Sequence, residues 1–357
     1  MLYNKYRSGA NRSGDPAPGA AGQKGFFEFD MPDWLRFFKA GSSFDFKRAL
    51  WLIMKYAISA ACIFYVFRDI PMTDLLAALK RYSILPIVAV VAVLFVAYVV
   101  MGLRLTYMSD PPLSFRSTFC ATLVGMAVNN VVPAKAGEIV KAMWIGRENG
   151  LLSQKTLGIV FMERFFDVNI LALLSFWFLW ILGEHFLVMV FIACLTAGWF
   201  VLVIFRRNQA LAERFTGLFG RGRLQVLISQ ALSGVLDNMS PNRLLWLTIT
   251  SIASWSLLFV QMFLCLNLVA GLGLSWDVVL STLVVGGFSM LLPSSPGAIG
   301  VYQAFTMTFL MRHGVEPDAA LAIALVSHMA QFIPVTLAGG LIFAMFPAKR
   351  ATADEKV

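Results

Sequence analysis

Residues 122–137 read TLVGMAVNNVVPAKAG, and residues 282–297 read TLVVGGFSMLLPSSPG. Thr-Leu-Val opens each stretch, a proline stands at the same place in both (Pro133 and Pro293), and a glycine closes both (Gly137 and Gly297). Apolar residues precede each proline, so a helix that should continue through a membrane is broken instead. Interrupted apolar segments at matching places in the two halves of a chain point to a transporter-like binding site at the breaks.

The rest of the chain supplies the membrane context. Of its 357 residues, 59% are hydrophobic and 14% charged, with a mean hydropathy of +0.74. Charged residues make up about 25% of soluble domains. Apolar stretches long enough for a bilayer, roughly 20 residues, fall near 49–67, 84–103, 156–182, 185–205, 244–270 and 319–346. The reading is an all-α polytopic membrane protein with six full transmembrane helices.

Metal and disulfide chemistry find little support. Cys62, Cys120, Cys194 and Cys265 all lie inside apolar segments without close spacing, and His185, His313 and His328 are scattered. Such thiols behave as small hydrophobes, so no metal and no cofactor is expected. A nucleic-acid partner is not expected either.

The first 24 residues are rich in Gly, Ala, Asn and Pro and have no apolar core, unlike a signal peptide. In residues 25–40, GFFEFDMPDWLRFFKA, Phe26, Phe27, Phe29, Trp34, Phe37 and Phe38 alternate with charges. That mixture suits a helix lying on the headgroups; a disordered tail with scattered aromatics is the alternative.

Lys and Arg accumulate in cytoplasmic loops and thereby orient the chain. They crowd the segment before the first span (Lys5, Arg7, Arg12, Lys24, Arg36, Lys39, Lys47, Arg48), the loop 206–243, and the tail (Lys349, Arg350, Lys356). The links 183–185 and 271–276 hold none. Loop 68–83, with Arg68, Lys80 and Arg81, fits an outer position least well. Both termini are expected in the cytoplasm.

Six spans with both ends inside constrain the remaining apolar segments. Residues 113–155 must enter and leave from the inner face, and 277–317 from the outer face. The expected fold adds two opposed re-entrant helical hairpins to the six spans, eight helical membrane segments in an inverted repeat. Two short helices that cross fully, giving eight spans with both ends still inside, are the competing reading. The organisation expected is a cytoplasmic tail with its interfacial helix (1–48), a membrane half with the inner hairpin (49–205), a cytoplasmic linker (206–243), a membrane half with the outer hairpin (244–346) and a short tail (347–357). In the linker Leu224, Leu227, Ile228, Ala231, Leu232, Val235 and Leu236 recur at helical spacing, predicting an amphipathic helix on the inner leaflet. Arg206, Arg207, Arg214, Arg221 and Arg223 would there meet anionic headgroups. A solvated linker helix is the alternative.

The densest polar cluster is Asn129, Asn130, Pro133, Lys135, Gly137, Glu138 and Lys141, followed by Glu163, Arg164 and Asp167. Ionisable groups within a bilayer cost roughly 2.5–3.5 kcal/mol each on insertion scales and mark functional paths. Glu163 and Asp167 share one helix face. Glu163 lies about 10 Å into its span if that span starts near Thr156, and Lys135 or Lys141 can pair with it. Charges that merely pin hairpin to span are the competing account. The outer turn, Pro293 through Gly300, is uncharged, with Pro296 and Gly297 inside it and Gln303 just beyond. Its irregular backbone offers N–H groups to an anion. His328, near Gln331 on the last span, reads as a hydrogen-bonded core residue or a proton relay.

The run NNVVPAKAGEIVKAMWIGRENGLLSQKTLGIVFMERFFD and the later LLPSSPGAIGVYQAF together resemble the lysylphosphatidylglycerol synthase transmembrane-region family over residues 45–346. The family pattern Asn-x-x-x-Pro-x-x-x-Gly-Glu followed by Glu-Arg-x-x-Asp falls on Asn129, Pro133, Gly137, Glu138, Glu163, Arg164 and Asp167. Pro-x-x-Pro-Gly-x-x-Gly falls on Pro293, Pro296, Gly297 and Gly300. Where the family usually continues with an acidic residue, this chain has Tyr302-Gln303.

The resemblance implies a flippase-like membrane unit of a bacterial inner membrane, without the soluble aminoacyl-transferase domain of two-part members. It implies handling of a phospholipid or related lipid: aminoacyl-phospholipid, hopanoid or glycolipid. Expected partners are lipids with anionic or aminoacylated phospholipid headgroups, together with a second copy of the chain or a lipid-synthesis enzyme. On this reading Lys135, Lys141 and Arg164 attract phosphate, while Glu138 and Glu163 balance a cationic headgroup. A membrane-embedded transferase with Glu138 or Glu163 as general base, or a scaffold for lipid synthesis, are the alternatives; no enzymatic activity is the expectation.

Overall fold

The computed structural model describes residues 46–345 apart from 69, 133–135, 182–184, 221 and 293. The interfacial helix expected over 25–40 and the tail 347–357 lie outside the described residues. Everything regular among them is helical.

Six long helices stand where the hydropathy placed spans: α1 (Phe46–Phe67), α3 (Ile84–Thr106), α6 (Ser153–Ile181), α7 (His185–Arg207), α10 (Pro241–Phe263) and α13 (Pro317–Met345). A π-helical segment, Leu264–Val269, prolongs α10. Ile84–Thr106, Val188–Arg207, Pro241–Val269 and Pro317–Met345 have the length and hydropathy of bilayer-crossing helices. Between the long helices run α2 (Met72–Lys80), α4 (Phe115–Val131), α5 (Gly137–Glu148), α8 (Gln209–Gly217), α9 (Arg223–Asp237), α11 (Trp276–Ser289) and α12 (Val301–Arg312). The boundaries follow local chemistry. Pro241 opens α10 after Ser240, Asp318 sits in the first turn of α13, and the Asn208 side chain accepts the Leu211 N–H at the start of α8. Proline at a helix start and acids in the first turn both suit the unpaired N–H groups there.

The two predicted breaks are real interruptions. α4 has 17 residues and α5 has 12, while α11 has 14 and α12 has 12. At 1.5 Å per residue these helices run between about 18 and 26 Å, short of a hydrocarbon core roughly 30 Å thick. In the first hairpin α5 folds back on α4 because Gly137 has no side chain. A Cβ there would stand 1.9 Å from the Gly125 carbonyl oxygen.

Both hairpins pack on α13. A Cβ on Gly339 would meet the Leu123 carbonyl of α4 at 2.3 Å, and Tyr302 of α12 stacks on His328 with ring centroids 4.6 Å apart. Pro334 lies within α13, where it removes one helical N–H.

The linker helix is present, but its placement differs from that expected of a helix resting on the leaflet alone. α9 is joined backbone to backbone with α6: a Cβ on Gly158 would meet the Ala231 carbonyl oxygen at 2.0 Å, and one on Gly234 the Lys155 carbonyl oxygen at 2.2 Å. Lys155 and Asp237 close the contact at 2.8 Å. Val235 is buried, while Leu224 and Val226 face outward. Small residues let the two helices touch, which periodicity alone does not register.

Candidate functional site: a buried ion network beneath two facing hairpin tips

The site lies wholly within Leu52–Val357. Its centre is a residue the sequence reading passed over. Arg104, in the last turn of α3, is fully buried. Its Nη2 donates to Glu163 Oε1 at 2.6 Å and its Nη1 to Asp167 Oδ1 at 2.7 Å. Nη1 also donates to Ser251 Oγ of α10 at 3.0 Å. Glu163 and Asp167 are one turn apart on α6, so both carboxylates face the same guanidinium. The other oxygen of Glu163 accepts from Lys141 Nζ at 2.6 Å. Of the two lysines that could have paired with Glu163, Lys141 does so.

A second, more exposed layer adjoins this core. Arg164 Nη1 donates to Asp167 Oδ2 at 2.9 Å, and its Nε stands 3.0 Å from Glu138 Oε1. The side chain of Arg164 is 38% exposed, against 27% for Glu138 and 14% for Asp167. Arg164, Arg104 and Lys141 balance Glu138, Glu163 and Asp167 in sign, so the network is neutral among the described residues. Lys141 is sealed and committed to Glu163, which removes it from the cations expected to attract phosphate. Arg164 remains the accessible cation of the network, and it pairs with Glu138 and Asp167 rather than Glu163.

The asparagines tie this network to the hairpin break. Asn129 Oδ1 accepts the Gly137 N–H at 2.8 Å, and its Nδ2 donates to Glu138 Oε1 at 3.3 Å. One side chain thus holds the first N–H of α5 and orients a network carboxylate. Asn130 points the other way: its Nδ2 donates to Thr336 Oγ1 at 2.8 Å and to the Phe332 carbonyl at 3.4 Å. Both acceptors flank Pro334, where α13 is weakest. Pro133 and Lys135, like Pro293, lie outside the described residues.

The outer tip is neutral and internally bonded. Pro296–Ala298 form a 3₁₀ turn with Gly297 at φ 66°, and Gly300 at φ 87° precedes α12. Three of the N–H groups expected to greet an anion are engaged. Ser295 donates to Ser59 Oγ at 2.8 Å, Ala298 to the Ser295 carbonyl at 3.0 Å, and Gly300 to Gln303 Oε1 at 2.8 Å. Because Gln303 accepts through Oε1, its Nε2 is the donor to His328 Nδ1 at 2.9 Å. The imidazole then carries its proton on Nε2, beside the Gly297 backbone. Gln303 and His328, read separately from sequence, form one hydrogen-bonded unit. The two tips meet: a Cβ on Gly297 would lie 3.3 Å from the Asn130 carbonyl oxygen and 2.4 Å from the Phe332 ring.

Arg104 lies one residue beyond the span expected over 84–103, so the hydropathy pattern does not count it among the charges inside the membrane. A usable signal existed. A cation at the end of an apolar helix with no acid in its own segment requires one from elsewhere.

A family model described as the lysylphosphatidylglycerol synthase TM region matches residues 52–339. A protein of Methanothermobacter thermautotrophicus described as a UPF0104 membrane protein is 24% identical over 260 residues, spanning 68% of this chain and 78% of that protein. The match runs through both hairpins, the ion network and the final helix, and the chain belongs to the lysylphosphatidylglycerol synthase TM-region family.

Proposed function

We propose that the protein translocates a phospholipid or related lipid between the leaflets of a bacterial inner membrane, with both termini in the cytoplasm. The observation that carries this reading is the meeting of two interrupted hairpins at Asn130 and Gly297 against the proline-weakened part of α13. Broken backbone at membrane depth is tolerated where protein buries it or a polar cavity meets it. Here it stands beside six ionisable groups, half of them partly exposed. Two opposed hairpins would carry a headgroup past the bilayer centre while its acyl chains stay in lipid. Arg164, with Glu138 and Asp167, offers a phosphate and an ammonium one partner each.

The test is translocation of labelled phospholipids, lysyl-phosphatidylglycerol included, in proteoliposomes containing the wild type or Arg164→Ala. Arg164→Ala leaves Glu163 bound to Arg104 and Lys141, so the protein should accumulate at wild-type yield. Translocation should fall at least about tenfold, the effect of losing one charge-assisted contact of about 1.4 kcal/mol or more. Undiminished translocation by Arg164→Ala removes the network from the mechanism. Absence of translocation by the wild type favours a scaffold for lipid synthesis.

A further inference from the structure

Gln303 serves two partners with one amide. Its Oε1 accepts the Gly300 N–H at 2.8 Å, and its Nε2 donates to His328 Nδ1 at 2.9 Å. Gly300 stands at φ 87° where the outer turn enters α12, so the first contact ties that turn shut. The second reaches α13, where His328 is 2% exposed. His328 follows Pro317, the first residue of α13, by eleven positions, about 16 Å along the helix. That is close to the middle of a hydrocarbon core roughly 30 Å thick.

The surroundings of the imidazole are aromatic and neutral. Tyr302 stacks on it, Phe332 meets it edge-on with centroids 6.0 Å apart, and the Gly297 backbone lies beside it. Tyr302 is the titratable group in contact, its hydroxyl 3.3 Å from Ser327 Oγ, and Cys265 stands beyond it. The helices packed against α13 hold their charges near their ends: Asp74 and Lys80 on α2, Arg104 on α3, Arg116 on α4 and Arg312 on α12. Asp318, the charge on α13 itself, is in its first turn. Among the described residues no ion pair fixes the charge state of His328. A bond that only joins two helices does not need an ionisable acceptor. Asn130 joins α4 to α13 through the Thr336 hydroxyl, whereas Gln303 uses a nitrogen whose lone pair a proton can occupy.

We propose that Nδ1 of His328 is a proton-binding site whose occupancy opens the outer turn. The proton arrives from the outer water and bonds to the Nδ1 lone pair. The imidazolium then has an N–H on both nitrogens and can only donate. Gln303 must turn its amide over to accept through Oε1, which leaves its NH₂ group facing the Gly300 N–H, donor against donor. Gly300 loses its acceptor and the turn loses its tie; departure of the proton restores both. The closed turn needs a bare Nδ1, so acid favours the open one. The proposal deepens the lipid-translocase reading by naming the ion coupled to it, while the opening itself is measured without lipid transport.

The test is hydrogen–deuterium exchange of residues 295–303 in the purified full-length protein in nanodiscs, followed by mass spectrometry and corrected for the intrinsic pH dependence of amide exchange. Exchange should speed up about tenfold or more between about pH 8 and about pH 5, the range in which an imidazole ordinarily takes a proton. Peptides from α3 should not change. His328→Asn offers Gln303 an amide oxygen that takes no proton, so the turn should stay closed at both pH values. Gln303→Glu can accept from Gly300 and from the imidazolium together, and should also stay closed; it decides the matter if His328→Asn fails to accumulate. Equal exchange at both pH values in the wild type, or an acid response that survives in these variants, overturns the proposal and leaves His328 a hydrogen-bonded core residue. Acid-driven opening in a protein that translocates no lipid spares the proton site and defeats the translocase. Translocation with an acid-insensitive turn does the reverse.

Discussion

Two arginines on neighbouring helices divide the work of the ion network. Arg104 is fully buried and holds both Glu163 and Asp167, whereas Arg164 is 38% exposed and shares Asp167 with it. Arg104→Ala leaves Glu163 with Lys141 and Asp167 with Arg164, but the buried network, balanced before, then carries one uncompensated negative charge, which is costly out of water. Arg104→Ala should therefore lower the yield of folded protein, read as a smaller monodisperse peak after detergent extraction. Arg104→Lys should recover only part of it, since an ammonium does not reproduce the guanidinium's fixed fork toward two carboxylates. Normal yield of Arg104→Ala would mean that Lys141 and Arg164 suffice to hold the two carboxylates. Seen from sequence, Glu163 announced its need for a partner by its depth in an apolar helix. Which cation answers depends on how α3 lies across α6, and no spacing along the chain contains that distance.

Among the elements, the hairpins owe their shape to two glycines with different duties. Gly137 is required by proximity, because a Cβ would stand 1.9 Å from the backbone oxygen of Gly125. Gly297 is required by conformation, at φ 66°, with the Phe332 ring also in the way. Gly137→Ala should prevent α5 from closing on α4 and lower the yield of folded protein sharply. Gly297→Ala should cost about 1–2 kcal/mol for the left-handed backbone, lowering the unfolding temperature while the protein still accumulates. Translocation should then drop further than the loss of stability accounts for. Full transport by Gly297→Ala at normal protein levels would reduce the outer turn to a connector. Proline and glycine made both breaks visible in the sequence. The hydrogen bonds that close them were not visible: Gly300 to Gln303, Gln303 to His328, and Asn130 to α13 all join residues that the pattern treats separately.

For the molecule as a whole, the hairpin helices run shorter than a hydrocarbon core roughly 30 Å thick, and we propose that they re-enter rather than span. In a protein lacking its four native cysteines, single cysteines at Val132 and Ser294 should react slowly with small membrane-impermeant thiol reagents from opposite faces. Val132 should label from the cytoplasmic side and Ser294 from the outside. Labelling of both from one face would defeat the inverted arrangement. Lys and Arg placement supplies the sign of this prediction, and helix length supplies the depth.

Taken alone, the sequence determined that this chain is helical, membrane-embedded, broken at two matching places and a member of its family. These are properties of hydrophobicity, helix-breaking residues and motif spacing, all of which act locally along the chain. Only the tertiary structure decided that Arg104 anchors the network, that Lys141 is sealed away from any phosphate, that α9 is bound to α6, and that the two tips touch. Each of these depends on where a helix comes to lie against another. In a bilayer that position is set by close backbone contact and by the pairing of scarce buried charges rather than by hydrophobic pattern.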